Sequence, residues 1–203
     1  IESDEICLIG NPPYLGARKQ DLNHKSDLEH IFQHLVKYNN LDYITCWFYL
    51  AGLYIKDTNH RFSFVSTNSI CQGEQVELIW PLLLDLKLEI GFTYKSFKWK
   101  NSARDTAGVT VVIIGVRNIS NASKMVYDDN KIRNYKNINP YLVNAPNIII
   151  KKRNIPLSNL PAMSFGSMPN DGGHLIIAKE EYLNAKRTEP KINIYIRELY
   201  GAK

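Results

Sequence analysis

The feature that most constrains this chain is a turn of four residues, Asn11, Pro12, Pro13 and Tyr14, that follows the short apolar run of residues 6–10. An apolar run of this length next to a turn predicts a buried strand of a parallel sheet. Two successive prolines fix φ twice and remove two backbone donors, so the sheet ladder must end there. We therefore expect a stiff corner at the carboxyl end of a strand, where open α/β sheets bind ligands.

The groups on this corner suit one chemical task. An amino group on a planar base can donate one hydrogen to the Asn11 side-chain oxygen and one to the Pro12 carbonyl, while Tyr14 stacks on the base. Two acceptors keep the lone pair of the nitrogen from delocalising into the ring, which makes that nitrogen more nucleophilic. Pro13 would mainly hold the turn. The alternative is a proline-rich turn with no chemical role.

Asn-Pro-Pro-Tyr after an apolar strand resembles the catalytic motif of amino-methyltransferases that use S-adenosylmethionine, above all the adenine-N6 DNA methyltransferases. Further segments resemble one subgroup, the MmeI-like group of large bacterial restriction–modification enzymes. In that group endonuclease, methyltransferase and target recognition share a polypeptide. The matching segments, which extend the resemblance over nearly the whole chain, are residues 64–70, 72–76, 97–99, 111–115, 138–143 and 171–173.

The resemblance implies an α/β fold, the carboxyl-terminal half of a Rossmann-like class I methyltransferase sheet, followed by a smaller, irregular mixed region. We expect residues 1–118 to form that half of the catalytic domain. Residues 119–203 would form a connector and the start of a DNA target-recognition region, because polar residues and then prolines dominate there.

The resemblance also implies an activity: methylation of adenine N6 in DNA as part of a restriction–modification system. The adenine would be flipped out of duplex DNA, and the cofactor would be S-adenosylmethionine. The catalytic residues implied are Asn11, Pro12, Pro13 and Tyr14.

Hydrophobic periodicity indicates the same fold class. We predict a helix that starts at Asp27 with Asp27 as its N-cap, because the apolar residues that follow have helical spacing. A second, largely buried helix is predicted over residues 41–56, and a third over 76–84 with Pro81 in its first turn or at a kink. Strands are predicted at 61–66, 88–94 and 109–116, an order typical of the second half of a doubly wound sheet.

The stretch 94–104 interleaves aromatic and basic residues and contains no acid. Such a stretch outside a strand end suits a flipped base and its phosphates, although it could instead be a solvated loop. The resemblance implies that Phe97 or Trp99 forms the second face of the base pocket. Thr67 and Asn68, at another strand end, could line the pocket or cap the next helix. The cations expected to contact DNA are Lys95, Lys98, Lys100 and Arg104.

A net charge of +5 and a pI near 9.0 permit a nucleic-acid partner without requiring one. No segment is long and apolar enough to span a membrane, and no signal peptide is present, so we expect a cytoplasmic protein. Cys7, Cys46 and Cys71 are predicted to be reduced core thiols. His30 and His34 are four apart on the predicted first helix, but no third ligand accompanies them, so we expect no metal site.

The catalytic turn comes soon after residue 1, and no Gly-x-Gly loop follows any predicted strand. We therefore expect this chain to be a fragment whose main cofactor-binding loop lies upstream, and which is inactive alone. Two alternatives stay open: a protein-glutamine N5 methyltransferase, and a non-catalytic DNA-binding module with a methyltransferase fold.

Overall fold

The structure is a computed structural model that describes residues 5–98, 110–129, 131–161 and 171–199. The chain divides into two compact units, Ile1–Lys152 and Arg153–Lys203. Among the described residues, no helix is long and apolar enough to cross a membrane.

The first unit is an α/β structure in which three helices lie between the first three strands, and three further strands follow. In chain order its elements are β1 (Cys7–Gly10), α1 (Leu22–Phe32), α2 (Thr45–Ile55), β2 (Arg61–Thr67), α3 (Gly73–Asp85), β3 (Leu88–Lys98), β4 (Thr110–Asn118), β5 (Lys124–Asp128) and β6 (Lys131–Tyr135). The described residues form one mixed sheet with the strand order β1-β2-β4-β3-β5-β6. The α/β fold class predicted from the sequence is confirmed.

The directions of the strands determine where their ends meet. β1 pairs in parallel with β2, and β4 lies between β2 and β3, antiparallel to both. β1, β2 and β3 therefore run in the same direction, and their carboxyl ends lie at one edge of the sheet. The turn that follows β1 is at this edge.

One face of the sheet packs against helices because alternate residues of its central strands are apolar. Phe62 and Phe64 of β2 lie beside Val116 and Ile114 of β4 in the ladder, and all four side chains are buried. Phe48 of α2 packs on this face, with its ring centroid 5.5 Å from those of Phe62 and Phe64. α2 thus lies within the predicted range 41–56 and packs on the core, but it begins only at Thr45, and its outer side, with Leu50, Leu53 and Tyr54, is exposed.

The first helix starts earlier than predicted. α1 begins at Leu22 and has Asp21 as its N-cap, and the Asp21 carboxylate accepts a hydrogen bond from the His24 backbone N–H at 3.0 Å. This bond lowers the pKa of Asp21 from its usual value. The prediction that Asp27 starts the helix is wrong, because the polar first turn of α1 hides the apolar periodicity. α1 ends at Phe32, so His34 lies beyond the helix on which we had placed it.

Two further predictions need correction. Cys7 and Ile9 of β1 pair with Arg61 and Ser63 and lie on the sheet face opposite Phe62 and Phe64. Cys7 is exposed and Ile9 is 83% exposed, contrary to the prediction of a buried strand and of a core thiol at Cys7. Pro81 lies well inside α3 rather than in its first turn, because the helix begins at Gly73.

The described residues of the second unit include a regular helix, α4 (Lys179–Thr188), followed by a short 3-10 turn at Pro190–Ile194. The hydroxyl of Tyr182 in α4 donates to the side-chain oxygen of Asn193 at 2.7 Å and joins these two segments. Before the helix, the Asp171 carboxylate accepts hydrogen bonds from the backbone N–H groups of Gly173 and Leu175.

A buried carboxylate ties β3, β4 and β5 together. Glu89 is 7% exposed, and its side chain accepts a hydrogen bond from Arg117 Nε at 3.0 Å. Lys124 Nζ lies 2.8 Å from the other carboxylate oxygen. One acid therefore compensates two cations on neighbouring strands, and removing it would leave both unpaired.

We predict that Glu89→Gln lowers the free energy of unfolding by about 2–3 kcal/mol. This loss is smaller than the ~3–5 kcal/mol typical of a fully buried pair, because both cations keep some contact with water. The matched control is Asp57→Asn, since the pair of Lys56 and Asp57 is exposed to 47% and 77%. It should change stability by less than about 0.5 kcal/mol. Urea unfolding measures both variants, and equal losses would contradict the structural role of Glu89.

Candidate active site

The turn after β1 exposes an amide and anchors a ring. Gly10 is the last residue of β1, in register with Phe64 of β2, and the chain leaves the sheet at Asn11. Asn11 and Pro13 are exposed, Pro12 is buried, and Tyr14 is half-buried against the hydrophobic core. The turn thus presents the Asn11 side chain to solvent while the core holds the Tyr14 ring.

The ends of β2 and β3 meet at the same edge and are hydrogen-bonded to each other. Thr67 is the last residue of β2, and its hydroxyl lies 2.6 Å from the hydroxyl of Ser69. The Asn68 side-chain oxygen accepts a hydrogen bond from the Ser96 hydroxyl of β3 at 2.7 Å. The sequence analysis had not singled out Ser96, a small polar residue that carries no motif.

Phe97 lies near the carboxyl end of β3, which extends four residues beyond the predicted strand 88–94. It pairs with Val111 of β4 after a register shift between Tyr94 and Phe97. A bulge of this kind changes the direction of the following side chains. The half-buried Phe97 ring packs edge-on against Tyr94, with the centroids 5.2 Å apart.

The predicted phosphate-binding cations differ in their surroundings. Lys95 is half-buried, and its Nζ lies 3.3 Å from a carboxylate oxygen of Asp128 on β5, which offsets its charge. Lys98, the last residue of β3, is exposed. Trp99, Lys100 and Arg104 lie outside the described residues.

The residue directly after the turn is fixed on both sides of its backbone. The Leu15 N–H donates to Asp42 Oδ1 at 2.9 Å. The Leu15 carbonyl accepts from Gln20 Nε2 at 2.7 Å and from the Tyr43 backbone N–H at 3.1 Å. The chain therefore leaves the turn along one fixed path.

Asp42 joins the turn to the segment before α2 and to α3. It is 6% exposed, and the oxygen that binds Leu15 also accepts from the Ile44 N–H at 3.3 Å. The Asp42 N–H donates to Gln75 Oε1 on α3 at 2.9 Å, and Gln75 Nε2 donates to the Asn40 carbonyl at 2.7 Å. Sequence analysis missed Asp42, because its partner Leu15 lies 27 residues away in the sequence and no local pattern links the two.

Two buried cysteines do not supply a nucleophile. Burial raises the pKa of the Cys46 thiol to about 12 and raises that of Cys71 as well. Both thiols are protonated near neutral pH and so are poor nucleophiles. A hydrogen bond to Asp27 and then burial raise the pKa of Tyr43 to about 12, so its hydroxyl stays protonated too. Over the described ranges no three His, Cys, Asp or Glu side chains come together where they could hold a metal ion.

Comparisons with known proteins match both halves of the chain. Residues 1–128 match the family model of the MmeI DNA-methyltransferase domain, and residues 144–203 match that of the MmeI target recognition domain. DNA methyltransferase A of Bacillus subtilis (strain 168) is 42% identical over 201 residues, which cover 98% of this chain and 23% of that protein.

A solved structure is similar as well. The type IIL restriction-modification enzyme MmeI in complex with DNA has a TM-score of 0.86 at 39% identity, over 93% of this chain and 26% of the other. The chain spans about a quarter of the length of these two relatives. It belongs to the MmeI family of DNA-methyltransferase domains, and its last segment matches the target recognition domain of that family.

Proposed function

We propose that the protein containing this chain methylates adenine N6 in duplex DNA, as part of a restriction–modification system. The observation that carries this proposal is the arrangement at the edge of the sheet. The exposed Asn11 amide and the anchored Tyr14 ring lie where β1, β2 and β3 end together. Open α/β sheets bind their substrates at such an edge.

The turn activates the amino group of the base. One hydrogen of the amino group goes to Asn11 Oδ1 and the other to the Pro12 carbonyl. The Leu15 N–H, which could otherwise close a turn onto that carbonyl, donates to Asp42 instead. Both acceptors draw the nitrogen toward tetrahedral geometry, so its lone pair is available to form a bond. When the new N–C bond forms, the nitrogen becomes positively charged, and the two neutral oxygens stabilise that charge. The nitrogen then releases one proton to water.

We propose S-adenosylmethionine as the methyl donor. It would supply a methyl group bonded to a positively charged sulfur, and that S–C bond would break with its electron pair staying on sulfur, which would leave as a neutral thioether. The donor set of the turn fits the accepting side of this reaction, because uncharged oxygens can bind an amine without taking its protons. We assign none of the described residues to the amino-acid or ribose part of the cofactor.

The base pocket would consist of the Tyr14 ring on one side and an aromatic residue of the stretch after β3 on the other. Phe97 is the described candidate for the second face, and Trp99 is the other. Thr67 and Asn68 would line the pocket between them, held by their bonds to Ser69 and Ser96. Flipping a base out of the DNA stack costs a few kcal/mol of free energy. Stacking of the base in such a pocket can offset this cost.

DNA phosphates would be contacted from the same edge. Lys98 is exposed there, and Lys95, Lys100 and Arg104 complete the proposed set.

We propose that residues 1–118 belong to the catalytic domain and that residues 119–203 form a connector and the start of the target-recognition region. The match of residues 144–203 to a target recognition domain supports DNA over a protein glutamine as substrate. We also propose that the protein acts in the cytoplasm, which suits its free cysteines.

We predict that Asn11→Ala in the full-length protein lowers the rate of methyl transfer by about 10²-fold or more, because one of the two acceptors on the amino nitrogen is lost. The fold should survive, because the side chain is exposed. The measurement is mass spectrometry of N6-methyl-2′-deoxyadenosine in nuclease-digested DNA. Asn23→Ala, which changes an exposed asparagine on α1, is the matched control. A near-normal rate of methyl transfer by the Asn11→Ala variant would contradict the proposed role of Asn11 as an acceptor for the amino group.

We predict that Tyr14→Ala weakens binding of DNA with an extruded base by the roughly 1–3 kcal/mol of one stacking partner. Tyr14→Phe should be nearly harmless, because stacking needs the ring and not the hydroxyl. Fluorescence anisotropy with DNA carrying a mismatch at the target adenine measures both variants. If the phenylalanine variant binds as poorly as the alanine variant, Tyr14 acts through its hydroxyl and the stacking role is wrong.

A further inference from the structure

The catalytic turn has few means of holding itself. Pro12 and Pro13 lack N–H groups, and no hydrogen bond involves the Asn11 or Tyr14 side chain among the described residues. The reaction nevertheless requires the Asn11 oxygen and the Pro12 carbonyl to stay in place relative to the amino nitrogen. The turn must therefore be positioned through the residues that flank it.

Leu15 is the flanking residue that leads away from the sheet, and Asp42 holds it. A single carboxylate oxygen, Asp42 Oδ1, accepts both the Leu15 N–H at 2.9 Å and the Ile44 N–H at 3.3 Å. Asp42 is 6% exposed, and the described residues place no cation against it in an ion pair. Its carboxylate is thus compensated by backbone donors, and its main structural contact is with the end of the turn.

Gln20 fixes the other side of the same residue. Its Nε2 donates to the Leu15 carbonyl at 2.7 Å and to the Leu41 carbonyl at 2.9 Å. Two carbonyl acceptors determine which way the amide faces, because only its NH₂ can bind both. Its Oε1 is buried with no partner in the described part of the chain. A buried oxygen without a partner destabilises the folded state. The hydrogen bond from Gln20 to the Leu15 carbonyl is therefore kept although it lowers the stability of the fold.

Asp42 also couples the turn to the next strand end. Its N–H donates to Gln75 Oε1 at 2.9 Å, and Gln75 lies near the start of α3. α3 follows the 3-10 turn Asn68–Cys71, which begins at the carboxyl end of β2. The two elements proposed to form the base pocket therefore both contact Asp42, the turn through its carboxylate and α3 through its backbone N–H.

We propose that Asp42 is a positioning residue for methyl transfer, which acts through the Leu15 N–H to hold Asn11 and Pro12 in their reactive arrangement, while the core holds the Tyr14 ring. This inference rests on the proposed function. Asp42 touches neither base nor cofactor in this role. Its loss should slow the chemical step and leave the binding of both substrates largely unchanged.

The test compares variants of the full-length protein in single-turnover methylation of DNA at saturating S-adenosylmethionine. Asp42→Ala should lower the single-turnover rate about 10- to 100-fold, as expected when reacting groups are misplaced. The KM for the cofactor and the Kd for DNA should change less than about twofold, since no contact to either is removed. Asp42→Asn should restore most of the rate, because one oxygen accepts both bonds in the native site and an amide retains one oxygen.

The control is Thr93→Val, which removes one buried hydrogen bond, from Thr93 Oγ1 to the Ile113 carbonyl, without change of shape. It should lower stability and leave the single-turnover rate unchanged. If Asp42→Ala does not fold, Gln20→Leu releases the same residue from its carbonyl side and also removes the unsatisfied oxygen. That variant should fold and slow the reaction several-fold.

The outcomes separate this inference from the proposed function. A wild-type protein that methylates no adenine would refute the proposed function itself. An active wild type with an unchanged rate in Asp42→Ala, or in Gln20→Leu if the first does not fold, would refute the positioning role. So would an Asp42→Asn variant as slow as Asp42→Ala, because the charge rather than the hydrogen bond would then matter.

Discussion

The structure depends on how the turn of residues 11–14, in which two prolines lack backbone N–H groups, is held at the edge of the sheet. Pro12 and Pro13 end the ladder, and they also remove the backbone bonds that would otherwise stabilise the turn. Three contacts compensate. Gly10 is fixed by the parallel ladder with β2, the Tyr14 ring packs against the core, and Leu15 is bound by Asp42. The two prolines that end the strand therefore also make the turn depend on these three contacts.

The second requirement is that several strand ends meet at one place. Inserting β4 antiparallel between β2 and β3 keeps β1, β2 and β3 pointing the same way, so their carboxyl ends share an edge. The bond from Ser96 to Asn68 joins two of these ends, and the path from Asp42 to Gln75 links the turn to the helix that follows β2. A pocket built on three strand ends can be rigid although most of its residues lie in turns.

The sequence predicted what depends on local pattern. The turn after an apolar strand, the buried α2 and the α/β order were readable from spacing and from proline positions. What it could not predict depends on tertiary context. The start of α1 is set by the Asp21 cap, the exposure of Ile9 by its place on the sheet face opposite Phe62 and Phe64, and the extra length of β3 by pairing with β4 that continues after a bulge. Asp42 acts across 27 residues of sequence, which no local pattern reveals.

The most direct test of the central claim is an experimental structure of the full-length protein with duplex DNA and a non-reactive analogue of S-adenosylmethionine. Our account predicts an adenine outside the duplex, stacked on Tyr14, with its amino nitrogen within about 3 Å of both Asn11 Oδ1 and the Pro12 carbonyl oxygen. An extruded adenine bound elsewhere, or one whose amino group faces away from these two oxygens, would contradict it.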